Sequence, residues 1–518
     1  WIPAWGRCCI ADALAEDRAL RAGLNRPAVQ VLDVARQAVD RRRVPDARSL
    51  ARPAPEPSKV RAMPGIAHLA ALVLAICGWP PTHAQPASFQ LPDAGCPMAH
   101  CDPRLSDQTR TIAPSLANLI ATDSTPVGGG GLGCVSNLQI VACSFRGDPQ
   151  RQSNLVVYDA DGQRIWEDGG LLGWQAWMSA PILGSDGSVI AADQYWVFRA
   201  QPSTNTMLWQ MAKPDPGTPI SPVLVGEDRS MVLLATKDNL SGGEPAMTVW
   251  DVENGALLSH MPLRDPASGK LYITRNTPAV SGNRAYVLAS RMDDETDGRL
   301  YAIDVCNRPG CGGRGALSVR WIFGFKGPSG ASPLLIGSTL YFDGRPTSRT
   351  GSLMAVKDRG GSARRLWFRE FRSTFGVSPA HDPRGGLWVH YVAPDGTSLM
   401  RLDEANGSLL QEIDASAVLG VEPGYVAHSV MMLAQSSSEA VVMIFGAQPG
   451  GASPLPTYVA AVDVSSTPPG TLLWRHVVGA NKDVNAAGGQ FPIVISPNGS
   501  RRIVFEGSKR STFFVGEP

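Results

Sequence analysis

LVVYDADGQRIW, residues 155–166, holds a short apolar strand, an acidic turn and a second strand that ends in tryptophan. Val156 and Tyr158, then Ile165, alternate as a pleated strand requires. Asp159 and Gly162 stand where a tight hairpin needs a side-chain acceptor and a positive φ. The same unit recurs along the chain. WVFRAQPSTNTMLW ends at Trp209, and TVWDVENGALL carries Asp251 and Gly255 with Leu257 in the tryptophan place. LYAIDV, with Asp304, reaches Trp321 after a cysteine-bearing insertion. LMAVKDRGGSARRLW has Asp358 and Trp367, LMRLDEANGSLL has Asp403 and Gly407, and VAAVDVSSTPPGTLLW has Asp463 and Trp474.

A second half-unit alternates with the first. It opens on Ser/Thr-x-Pro or Ser-Pro, then runs through an apolar strand to a glycine turn. Its anchors are Pro181, Pro222, Pro278, Pro333, Pro379 and Pro492, with degenerate copies near Cys134 and Val430. Repeats of roughly 40–60 residues with four short strands each define a β-propeller, a WD40-like repeat architecture. One blade cannot bury both its faces alone, and stacking blades around an axis does so. The anchors predict an all-β fold of eight blades, with seven as the fallback because two copies are degenerate. The tryptophans are expected to wedge between blades. The turn aspartates are expected to accept N–H groups of their own hairpins.

This Ala-x-Asp, Gly, Trp unit, alternating with Ser-Pro-apolar-Gly, resembles the PQQ-like (quinoprotein-like) propeller repeat over residues 131–518. The stretch Cys96-Pro97-Met98-Ala99-His100-Cys101-Asp102-Pro103 resembles the Trp-Pro-Met-Phe-x-x-Asp opening of such propellers, with Cys96 in the tryptophan place. The resemblance implies an exported eight-bladed propeller. It also implies two activities: a binding or scaffolding module, and a PQQ-dependent dehydrogenase. The dehydrogenases resemble one another in a vicinal disulfide, a Ca²⁺ site of Glu, Asn and Asp, and often a C-x-x-C-H haem motif. Here the adjacent cysteines are Cys8 and Cys9, far upstream, and C-x-x-C-H does not occur. The expectation is therefore a ligand- or protein-binding scaffold with no catalytic motif. The alternative is a PQQ-dependent oxidoreductase with an atypical site for PQQ and Ca²⁺.

The chain of 518 residues divides before the repeats begin. Residues 1–62 are basic, include Arg41-Arg42-Arg43, and are expected to be disordered or absent from the mature protein. Residues 63–84 read as a signal peptide: Ile66–Cys77 is apolar but too short to span a bilayer, and Thr82-His83-Ala84 fits a cleavage site. Residues 85–130 form an N-terminal lead-in. The formal net charge is +1, and loss of the basic leader makes the remainder mildly acidic, so no nucleic-acid partner is expected. A periplasmic or secreted monomer without a transmembrane span follows.

Of the nine cysteines, six follow Ala84 in three close pairs: Cys96 with Cys101, Cys134 with Cys143, and Cys306 with Cys311. An even set in an exported chain reads as disulfides. No metal site is expected, since zinc needs four converging ligands.

The segments joining each outer strand to the next inner strand open onto one mouth of the channel. They carry Trp174 and Trp177, then Lys213, Arg275, Lys326, Arg372, Tyr425 with His428, and Lys482 with Gln490. Recurring cations with aromatics suit an anionic small ligand or an acidic protein partner at this rim.

Overall fold

The outer strand of one blade carries its tryptophan onto the turn of the next, and this contact repeats around a closed ring. In the computed structural model the described residues are 89–123, 133–145, 154–171, 179–237, 244–274, 276–308, 310–327, 331–347, 350–371, 378–393, 396–427, 431–449, 455–466, 470–480, 491–507 and 511–518. Residues 1–62 and the signal-like stretch 63–84 lie outside them. No helix among the described residues is long and apolar enough to cross a membrane.

Eight antiparallel sheets make eight blades, so the count is eight and not the fallback seven. Blade 1 covers residues 133–167, blade 2 182–212, blade 3 223–262, blade 4 272–326, blade 5 334–371, blade 6 380–414 and blade 7 425–480. Blades 1 and 7 are the two degenerate copies. Blade 8 takes three strands from residues 493–516, and its outer strand is Asn118–Asp123 from the lead-in. Asn118–Asp123 pairs antiparallel with the C-terminal strand Ser511–Gly516, which fastens the two ends of the ring. At this seam the Tyr158 hydroxyl of blade 1 donates to Asp123 at 2.9 Å.

The tryptophans couple blades as expected. Trp209 donates Nε1–H to the Val252 carbonyl at 3.0 Å, Trp367 to Glu404 at 2.8 Å, and Trp474 to Pro114 at 2.8 Å. Val252 and Glu404 belong to the outer turn of the following blade, and Pro114 to the segment that leads into the outer strand of blade 8. The turn glycines make room for the rings. A Cβ on Gly255 would lie 2.7 Å from the Trp209 ring, and one on Gly407 2.9 Å from Trp367. Blade 3 has no Trp on its outer strand, and Leu258, rather than the expected Leu257, packs against Gly315.

The turn aspartates cap their own hairpins. Asp251 Oδ1 accepts the amides of Glu253 and Asn254, and Asp403 Oδ1 those of Ala405 and Asn406. Asp358 also takes the Trp321 indole at 3.0 Å. Burial alone would raise its pKa. Hydrogen bonds from Tyr286, Arg284, Gly360 and Trp321 outweigh burial and hold the carboxyl below its ordinary value.

Trp209→Ala should cost roughly 3–5 kcal/mol, because it opens a cavity between blades 2 and 3 and removes the indole hydrogen bond to the Val252 carbonyl. Leu257→Ala, at a side chain 43% exposed, should cost about 1 kcal/mol or less. Urea unfolding of both variants checks the ranking, and equal costs would show that the indole is not the coupling group.

Candidate functional site

The inner ends of the blades are tied to one another by the repeated Ser/Thr-Pro anchor. Ser221 Oγ of blade 3 accepts the Ala180 amide of blade 2 at 3.0 Å. Ser332 Oγ of blade 5 accepts the Thr277 amide of blade 4 at 3.2 Å, and Ser378 Oγ of blade 6 accepts the Ser332 amide at 2.9 Å. One blade's anchor hydroxyl thus satisfies a buried amide of the blade before it. This belt explains the hydroxyl before Pro222, Pro333 and Pro379.

The lead-in lies inside the belt. An inner strand turns one edge toward the channel axis, where its N–H groups need acceptors. The lead-in supplies backbone carbonyls to them. Leu183 donates to Pro97 at 2.7 Å, Val280 to Pro103 at 2.6 Å, Leu335 to Arg104 at 3.0 Å, His381 to Ser106 at 2.9 Å and Leu433 to Asp107 at 2.8 Å. The first four donors each stand two residues after an anchor proline. Cys96 exchanges both backbone hydrogen bonds with Ser136 of blade 1. The strand Gln108–Ile112 then runs parallel to Met432–Gln435 of blade 7. Residues 96–112 therefore plug the channel by touching the inner strands of six blades. The Cys96–Cys101 disulfide staples the plug. The other two predicted pairs, Cys134–Cys143 and Cys306–Cys311, are likewise placed as disulfides.

The plug holds an arrangement that sequence reasoning missed. His100 Nδ1 lies 2.9 Å from Asp107 Oδ1, and its Nε2 lies 3.0 Å from Ser332 Oγ. All three residues are buried. Burial pushes the Asp107 carboxyl up to about 6, against the attraction of His100. Four of the eight non-glycine residues with positive φ among the described residues, His100, Cys101, Leu105 and Asp107, fall in this stretch. Such crowding of strained backbone needs an over-determined surrounding, which the carbonyl ring supplies. The Ser-His-Asp geometry is that of a nucleophile and its base. The same hydrogen bonds also tie the plug to the belt. Ser332 Oγ already accepts the Thr277 amide, and the Ser332 amide is spent on Ser378. Ser221 and Ser378 fill the same belt position. His100 therefore latches the plug to the belt. Nothing local marks this contact in the sequence, since Ser332 lies 232 residues from His100.

Three predicted rim residues are described. Lys213 is buried, and its ammonium donates to the carbonyls of Asp193 at 3.1 Å and Gly217 at 2.7 Å. Tyr425 is buried and donates to the Pro456 carbonyl at 2.9 Å. Lys326 ends the strand Leu317–Lys326 and is exposed, beside a groove between blades 4 and 5. Trp174, Trp177, Arg275, Arg372, His428, Lys482 and Gln490 lie outside the described residues.

PQQ with Ca²⁺ needs an open axial cavity and a cluster of hard oxygen donors. Among the described residues, the metal-capable cluster is Cys134, Cys143 and Glu506, whose two sulfurs are joined to each other. That is not a Ca²⁺ donor set, and residues 96–112 occupy the axis at the inner strands.

These features define a plugged, eight-bladed β-propeller. The chain is similar to the quinohemoprotein alcohol dehydrogenase of Comamonas testosteroni, at TM-score 0.54 and 10% identity, over 82% of this chain and 81% of that one. It is similar to a europium-containing methanol dehydrogenase at TM-score 0.53 and 11% identity, over 80% and 89%. It is also similar to BamB of Moraxella catarrhalis at TM-score 0.46 and 11% identity, over 77% and 100%. No family model matches the chain. No curated protein matches it.

The Asp107 proton is held more tightly in the folded chain than at the ordinary value of 3.8. Its stabilising contribution is full below about pH 4 and is lost as pH rises through about 6. Asp107→Asn keeps an acceptor for His100 but cannot ionise. The unfolding free energy of the natural protein relative to this variant should fall between about pH 4 and pH 7, by at most about 3 kcal/mol. A difference that does not change with pH would show that Asp107 stays ionised throughout.

Proposed function

We propose that the chain is an exported binding propeller that presents its mouth face to an anionic small ligand or an acidic protein segment. The observation that carries this reading is the plug. The lead-in takes the axial space and the inner-strand amides for structure, which leaves the loops and the blade edges for recognition. The basic groups recurring at Arg275, Lys326, Arg372, His428 and Lys482 support an anionic partner. Export is supported by the signal-like stretch 63–84 and by three cysteine pairs at bonding distance.

Equilibrium dialysis against PQQ and Ca²⁺, read by the quinone spectrum, separates this proposal from oxidation chemistry. No stoichiometric uptake is expected. Uptake at one equivalent, with dye reduction by an alcohol, would overturn the binding reading. For the mouth itself, the triple variant Arg275→Glu, Arg372→Glu and Lys482→Glu should weaken binding of a short Asp- and Glu-rich peptide at least tenfold by calorimetry. Unchanged affinity would show these cations to be ordinary solvated groups.

A further inference from the structure

Blades 4 and 5 leave an open groove between them near the mouth end of their outer strands. These strands, Leu317–Lys326 and Ala363–Phe371, are among the longest in the ring, at 10 and 9 residues. The groove encloses about 730 Å³. Its apolar wall comes from Phe323 and Phe325 on blade 4 and Phe368 on blade 5. Phe325 packs edge-on against Phe342 at 5.1 Å and is thereby fixed, whereas Phe368 is 40% exposed. A folded chain gains nothing by leaving a phenyl ring in water at the lip of an apolar groove, and such patches commonly mark interaction sites.

The charges around this wall are unevenly satisfied. Asp297 is engaged by Arg299, by Arg291 and by the Tyr272 hydroxyl. Lys326 and Arg365 have no carboxylate partner among the described residues, and Arg365 lies over the Phe368 ring at 5.6 Å. Glu370 is the remaining acid of the lining. The groove thus offers two cations without a carboxylate partner beside exposed aromatic surface. An anion on the ligand would meet them at low desolvation cost, because both are exposed.

The geometry points to the blade 4–blade 5 groove as the seat of an extended, acidic, aromatic-bearing segment of a partner protein. One aromatic side chain enters between Phe323, Phe325 and Phe368, and the flanking carboxylates meet Lys326 and Arg365. The volume accommodates one or two large side chains, and the open side, bounded by the outer strand of blade 5, leaves room for an extended backbone to pass. This inference rests on the binding reading above and moves its anchor from the loops to a described surface.

Calorimetric titration with the blocked peptide acetyl-Gly-Asp-Phe-Glu-Trp-Asp-Gly-amide tests it. Binding is expected, together with at least tenfold weakening in Lys326→Glu with Arg365→Glu, and in Phe368→Ser alone. Arg364→Glu, on the same strand but outside the groove lining, should stay within twofold. Melting curves of each variant confirm the fold. Three outcomes overturn the inference: no binding to the natural protein, equal binding of the Lys- and Arg-substituted peptide, or affinity indifferent to the groove variants. If the mouth triple variant alone loses the peptide, the groove is excluded while the mouth reading stands. Binding of decanoate at the groove without binding of the peptide would likewise overturn the choice of a protein segment.

Discussion

Ring closure is the constraint on which the other features depend. Each blade buries its faces only against two neighbours, so a single open seam would expose two faces at once. The chain closes that seam by giving blade 8 an outer strand, Asn118–Asp123, from ahead of blade 1. The closure also completes the tryptophan series. Trp474 of blade 7 finds its acceptor on Pro114, which leads into the closing strand. Arg502 of blade 8 reaches across to the Ala160 carbonyl at 2.6 Å and to Asp161, in the turn of blade 1. The two termini of the repeat region are therefore held by backbone pairing, by an indole and by a guanidinium.

The ring was legible in the sequence where side chains do the coupling. Trp209, Gly255 and Asp251 announce themselves because each position tolerates few residue types: a ring to fill the wedge, no Cβ to obstruct it, a carboxylate to cap the turn. The Ser-Pro anchors are visible for the same reason, although their belt role appears only once neighbouring blades are placed. The closing strand was not legible. NLIATD, residues 118–123, carries no tryptophan, acidic turn or proline anchor, since it follows a loop rather than a hairpin. The plug was hidden too, because it works through carbonyls that every residue possesses.

The rim shows the opposite difficulty. Lys213 and Lys326 occupy comparable places at the ends of outer strands, and sequence cannot tell them apart. Lys213 spends its donors on the carbonyl of Gly217 in its own loop and that of Asp193 in a neighbouring turn of the same blade, whereas Lys326 projects beside exposed aromatics. The difference lies in what surrounds each ammonium. A lysine that finds carbonyls at hydrogen-bond distance becomes part of the scaffold, and one that finds water stays available to a ligand.

The plug also bears on how a propeller of this shape divides its work. An empty channel leaves inner-strand amides to water or to a ligand that can satisfy them. Filling it with residues 96–112 removes that option and rigidifies the belt, but it demands left-handed backbone at His100, Cys101, Leu105 and Asp107. That strain persists only if something holds the segment on several sides. Here the Cys96–Cys101 bond, the carbonyl ring and the His100 latch do so together. A segment so constrained is poorly suited to moving aside for a substrate. Recognition is then left to groups that the ring does not need for its own cohesion, and among the described residues Lys326, Arg365 and Phe368 meet that condition where Lys213, Tyr425 and Trp321 do not.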